Sequence, residues 1–217
     1  MGLSAFRSIC NREHLILIHI PSEEVMWSMK LQTKVKLSID TEFVWVLPTS
    51  SEWVRAYRIH DGTKVAEIPI YSKIDDPKGI PNVHGDRSDF LTTNDPDSLL
   101  IRFRVSSQGR HKLETTLIDR GRLKKLWHRN GWHAAGFREG SKMHLLDWFR
   151  HRWTAIDRDS GEVGRKIRLR DWEGQLVGND PGIFFLPEGE LALFREKSND
   201  RHLLRFPDIN FPSVWSP

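Results

Sequence analysis

Residues Phe43–Ile70 read FVWVLPTSSEWVRAYRIHDGTKVAEIPI, and their pattern returns at Met143–Leu169, MHLLDWFRHRWTAIDRDSGEVGRKIRL. Each stretch is an apolar run, a turn, a second run carrying a Trp and an Ala, a tight polar turn with Gly, and a third run. Through Trp53–Ile59 and Val65–Ile70 apolar and polar residues alternate with a period of two, and Val, Ile, Tyr and Trp favour a pleated surface. A helix would space its apolar positions three and four apart. Between the runs sit His60-Asp61-Gly62-Thr63 and Asp159-Ser160-Gly161-Glu162, where a Gly tolerant of positive φ follows turn-forming residues, the chemistry of a β-hairpin. Both stretches therefore predict three antiparallel strands. Such a piece must bury its apolar face against something, and repetition of the unit supplies a neighbour.

Further copies lie on both sides. His14–Ile20 and Val25–Leu31 flank the turn Pro21-Ser22-Glu23-Glu24, with Leu3–Cys10 as the strand before them, and Val35–Ile39 leads into the Phe43 unit as its inner strand. Tyr71–Phe90, rich in Pro, Gly and Asp and without periodicity, is predicted to be a loop. In Leu99–Val105 the apolar residues point inward and the arginines outward. His111–Ile118, the turn Asp119–Arg122 and Leu123–Trp127 repeat the order, as do Ile183–Leu186, Leu191–Phe194 and His202–Phe206. Taking Ser22, Asp61, Arg120, Ser160 and Asn199 as turn markers, the spacings are 39, 59, 40 and 39 residues, the long one containing the predicted loop. A period near forty with three or four strands per unit is the mark of propeller blades. The expected fold is all-β, a single five-bladed β-propeller with blades at roughly 3–31, 35–70, 89–127, 132–169 and 175–206 and an insertion loop at 72–89. Residues 211–215 are expected to pair into the first blade, which lacks an inner strand, and so close the ring and remove exposed sheet edges.

The stretch Ala155-Ile156-Asp157-Arg158-Asp159-Ser160-Gly161-Glu162-Val163 resembles the A-x-D-x-x-[ST]-G-x-V core of quinoprotein-like β-propeller repeats, and Ala56–Val65 is similar to it more loosely. The resemblance implies a blade hairpin and no particular activity. Where that family's docking Trp is usual this chain has Ala66 and Arg165, with Trp27 and Trp127 at the corresponding place in other units. The repeated Gly-His and Trp-Asp pairs of WD40 blades do not occur, and nothing carries over a quinone site, so no cofactor is expected.

In 217 residues there is room for one full core, and no apolar run approaches the roughly twenty residues of a membrane-spanning helix. Membrane insertion is not expected. Arg7 and the absence of an A-x-A pattern argue against a signal peptide at Met1–Cys10. The single cysteine, Cys10, fits a reducing compartment such as the cytoplasm. The excess of 33 basic over 29 acidic residues is mild, but Arg120–Arg129, RGRLKKLWHR, concentrates five Lys or Arg in ten residues. On an outer strand these would be a solvated edge that resists sheet addition; they would also suit an acidic partner or a phosphate backbone.

His128 and His133, five apart, are the candidate metal ligands, without the cysteine pairs or H-E-x-x-H helix of zinc sites. Asp157, Asp159 and Glu162 suit turn geometry, and Asp75, Asp76, Asp86 and Asp89 lack the spacing of a calcium loop. Nucleophile-elbow and nucleotide-binding motifs do not occur, and no catalytic residue is assigned. The recurrent Trp27, Trp45, Trp53, Trp127, Trp148 and Trp153 are expected to pack between blades, with glycan stacking as the alternative. The expected function is a non-enzymatic protein-interaction module or subunit of an assembly, with glycan or nucleic-acid binding as alternatives and an enzyme last. The candidate binding residues are Asp75, Asp76, Lys78, Asn82 and His84 in the loop and Arg122, Lys124, Lys125 and Arg129 in the basic stretch.

Overall fold

The structure, a computed structural model, describes residues 6–10, 14–49, 51–71, 82–107, 110–131, 133–147, 152–168, 182–185, 191–197 and 200–205, and every regular element among them is a β-strand. The chain divides into two units, one of residues 1–91, 96–132 and 159–161, the other of residues 92–95, 133–158 and 162–217.

In the first unit β1 (Phe6–Cys10), β2 (His14–His19) and β3 (Glu24–Lys30) form a three-stranded antiparallel meander. β4 (Val35–Ile39), β5 (Phe43–Pro48), β6 (Trp53–Arg58) and β7 (Lys64–Pro69) form a four-stranded one. β8 (Asn82–Thr93), β9 (Ser98–Ser107), β10 (Arg110–Asp119) and β11 (Lys124–Asn130) follow as a third antiparallel meander, with β11 outermost. Strand β5 shows why its sequence is apolar throughout instead of alternating. Val44 and Val46 enter a core with Leu15 and Leu17 of β2, while Trp45 and Leu47 enter a second with Leu99, Ile101 and Phe103 of β9. The sheet is buried on both faces, so both sets of side chains are apolar. For the same reason Leu100 is as buried as its neighbours, and Arg102 and Arg104, expected to face out, are half-buried.

In the second unit β12 (His133–Glu139), β13 (Lys142–Asp147), β14 (Arg152–Asp157) and β15 (Val163–Arg168) form a four-stranded antiparallel meander, and β16 (Gly182–Phe185), β17 (Leu191–Lys197) and β18 (Asp200–Arg205) a three-stranded one. The last residues of β8, Thr92 and Thr93, add a short parallel bridge to Ala135 and Gly136 of β12.

The predicted loop Tyr71–Phe90 needs correction, because residues from Asn82 onward belong to β8. Asn82, Val83 and His84 pair with β9, and pairing resumes at Asp89 after a register shift. Those intervening residues break the alternation on which a strand is recognised, and long-range pairing supplies what local pattern lacks. Among the described residues the first sheet has three strands; residues 211–215, expected to pair beside β1, lie outside them.

Candidate functional site

The repeats share a more detailed geometry than strand order. The hairpins β2–β3, β6–β7, β10–β11 and β14–β15 each shift register once, at Leu17/Ile18, Ala56/Tyr57, Leu117/Ile118 and Thr154/Ile156. After each shift the turn contains a residue with positive φ: Glu23 (56°), Gly62 (70°), Leu123 (50°) and Gly161 (72°). Four positions beyond it come Trp27, Ala66, Trp127 and Arg165.

Trp27 donates its indole N–H to the Ile59 carbonyl at 2.7 Å and lies flat on the next hairpin's turn, where a Cβ on Gly62 would sit 2.9 Å from Trp27 Cγ. Trp127 packs by the root of its side chain on the turn residues 159–161 of the first unit, since a Cβ on Gly161 would meet Trp127 Cγ at 2.7 Å and its Cβ at 2.8 Å. Where the outer strand offers only Ala66, the following turn carries Leu123, and both pack on the same core. A large ring thus meets a turn without a side chain, and a small side chain meets a turn that fills the space. Packing between blades, expected for the tryptophans, holds for Trp27, Trp45 and Trp127; Trp53 is 40% exposed, so the described tryptophans do not repeat one exposed stacking position per sheet.

Charged residues make a second kind of joint. In the β4–β5 turn Asp40 accepts from the backbone N–H of Glu42 and Phe43, from Trp45 Nε1 at 2.6 Å and from Arg120 Nη1 at 3.0 Å. Arg120 also donates Nε to the Ser98 carbonyl. In the second unit Asp95, with no exposed side chain, accepts from Arg138 Nη1 at 2.9 Å and Arg158 Nε at 3.1 Å. Asn94 brackets Arg138 by bonding both its N–H and its carbonyl. Such buried carboxylates are stable only because their lone pairs are satisfied. The basic stretch 120–129 is therefore not one solvated face. Arg120 is drawn inward, His128 stands 3.6 Å from the buried Glu114 with its ring against Tyr71, and Trp127 is docked.

What remains outward is Arg122, with a side chain 69% exposed, and Lys124; Lys125 and Arg129 are half-buried. Asp119, the acid of this hairpin, is turned inward and accepts from the Arg122 backbone N–H at 2.8 Å, leaving its carboxylate 4.0 Å from Arg122 Nε. Arg129 Nε is buried with no hydrogen-bond partner among the described residues. Asn82 and His84 lie in β8 opposite Ser106 and Arg104. Asp75, Asp76 and Lys78 are outside the described residues. His128 belongs to the first unit, and His133, buried at the start of β12, to the second. Among the described residues no three His, Cys, Asp or Glu group as metal ligands, and no helix is long and apolar enough to cross a membrane. The hairpin arrangement of Arg122 and Lys124, and the two docking devices, are invisible to local sequence reading; the spacing of Trp27 and Trp127 from their turns was the one signal of them.

Neither a protein-family model nor a curated protein matches the chain. Solved structures do. KlAtg21, in a complex with the coiled coil of AgAtg16, is similar over 94% of this chain and 64% of its own, at TM-score 0.56 and 11% identity. The β-propeller domain of Myceliophteria thermophila Cps50 (Swd1) follows at TM-score 0.53 and 11% identity, over 93% of this chain and 67% of that one. The Neurospora crassa Pan2 WD40 domain gives 0.52 and 9%, over 88% and 56%. The fold is that of a β-propeller. The chain spans between 56% and 67% of the length of these three structures. It shares their architecture without the WD40 sequence pairs, and the propeller resemblance drawn from Ala155–Val163 is met.

Proposed function

We propose that this chain is a non-enzymatic protein-interaction module, or a subunit of a larger assembly. The observation that carries the reading is its likeness, at TM-scores above 0.5, to a WD40 domain, a β-propeller domain and a protein in complex with a coiled coil. Sheets locked by Trp-on-Gly and Asp–Arg joints make a rigid support for exposed turns, and binding residues concentrate on loops held by such supports. The five described sheets are read as five blades of one ring, closed by residues 211–215 pairing beside β1. The edge of β1, unpaired among the described residues, and the exposed Ile9 on that strand support closure. Binding is assigned to residues 72–81 with the adjoining start of β8 and to the rim that carries Arg122 and Lys124. The lone, exposed Cys10 suits a reducing intracellular compartment.

The test is affinity purification of the tagged full chain from its native cell. A protein that co-elutes at fixed stoichiometry through gel filtration is expected, and the chain eluting alone at every salt concentration would refute the reading. Deleting residues 73–80, upstream of β8, should leave the circular dichroism of the fold intact while weakening that complex.

A further inference from the structure

Resting on the platform reading, we propose that the β10–β11 hairpin binds an acidic peptide segment of the partner through Arg122 and Lys124.

The equivalent turns of the other sheets provide the comparison. Glu23 and Glu24 are exposed in the first, Asp61 in the second, and Asp159 and Glu162 in the fourth. Only the β10–β11 turn has no exposed acid among the described residues of these four hairpins, because Asp119 is consumed in capping its own backbone. On the β6–β7 hairpin several basic groups are already answered. Arg55 and Lys64 both stand 3.0 Å from Glu67, whose carboxyl is held below its ordinary range first by the Lys64 hydrogen bond, and His60 stands 3.2 Å from Asp61.

The hairpin is also held rigidly. Leu123 adopts φ 50°, costly for a branched side chain, and packs on the core in the space that Ala66 leaves. Anchoring the residue between them fixes Arg122 and Lys124 outward on both sides, so little ordering remains to oppose binding.

Two exposed cations are few for a nucleic-acid backbone, where affinity grows with about 6–10 neutralised phosphates. They match a short run of Asp or Glu. The experiment measures fluorescence anisotropy of a labelled oligoglutamate peptide with the full chain at low salt. Binding that weakens with added salt is expected, and R122E/K124E should weaken it about tenfold or more. R122Q/K124Q should fall between, and K30E/K34E, the same charge change at exposed lysines elsewhere, should bind as the wild type does. Thermal melts confirm that each variant is folded. The proposal is overturned if K30E/K34E loses as much as R122E/K124E, if the folded wild type does not bind, or if single-stranded RNA binds more tightly than the peptide. Should R122E/K124E still recover the stoichiometric partner from cells, this site assignment fails and the platform reading stands; recovery of no partner by the wild type defeats the platform reading itself.

Discussion

Replacing Gly161 with Ala tests the Trp-on-Gly joint most directly. At φ 72° a Cβ is strained by about 1–2 kcal/mol. The same Cβ would lie 2.7–2.8 Å from the root of Trp127, atoms that cannot swing away as the tip of a flexible chain would. Overpacking of that kind adds about 1–3 kcal/mol, so G161A should lose roughly 2–5 kcal/mol. Trp127 is 7% exposed, and its truncation to Ala should cost about 3–5 kcal/mol by itself. In the double variant the ring is gone, while the backbone strain at position 161 and the 2.8 Å contact with the Cβ retained at position 127 persist. Its loss should therefore fall short of the sum of the singles by about 1–2 kcal/mol, the part of the overpacking due to the ring. Urea unfolding followed by far-UV circular dichroism resolves this, since about 2 kcal/mol moves the midpoint by roughly 1 M. Losses that add to within about 0.5 kcal/mol would show that Gly161 is required for its backbone only and that Trp127 does not press on it.

Other outcomes follow from the same joints. A66W should destabilise because Leu123 occupies the space a docked ring needs, and adding L123G should recover most of the loss while relieving about 1–2 kcal/mol of backbone strain; no recovery in urea melts would deny the volume exchange. R158A leaves the unexposed Asp95 with Arg138 and should cost about 3 kcal/mol, with D95N partly restoring the midpoint. His144 is buried in β13, and burial, aided by Lys142, lowers its pKa to about 4. Unfolded, it takes up its proton near pH 6.5, so the folded state should lose about 2 kcal/mol as pH falls from 6.5 towards 4; an H144L variant that shows the same pH dependence would refute this.

Strand alternation made much of this architecture legible in advance. Trp53–Ile59 with its Asp-Gly turn could pair only as a hairpin, and three turn spacings near forty residues exposed the repeat. β8 escaped notice because its pairing with β9 breaks between His84 and Asp89. The candidate site was legible as a basic stretch and no further. Five cations in ten residues look alike on paper, yet Arg120 is held by Asp40, eighty positions away in the chain, while Arg122 and Lys124 stay in water.

By itself the sequence determined which segments are strands and that they recur, since period-two alternation and turn chemistry act between residues a few positions apart. Tertiary structure decided which Trp meets which Gly, why Ala66 is matched by Leu123, and which arginines are used up inside. Those outcomes depend on complementary volume and charge between segments separated by tens of residues, and the chain specifies them only once its sheets are stacked.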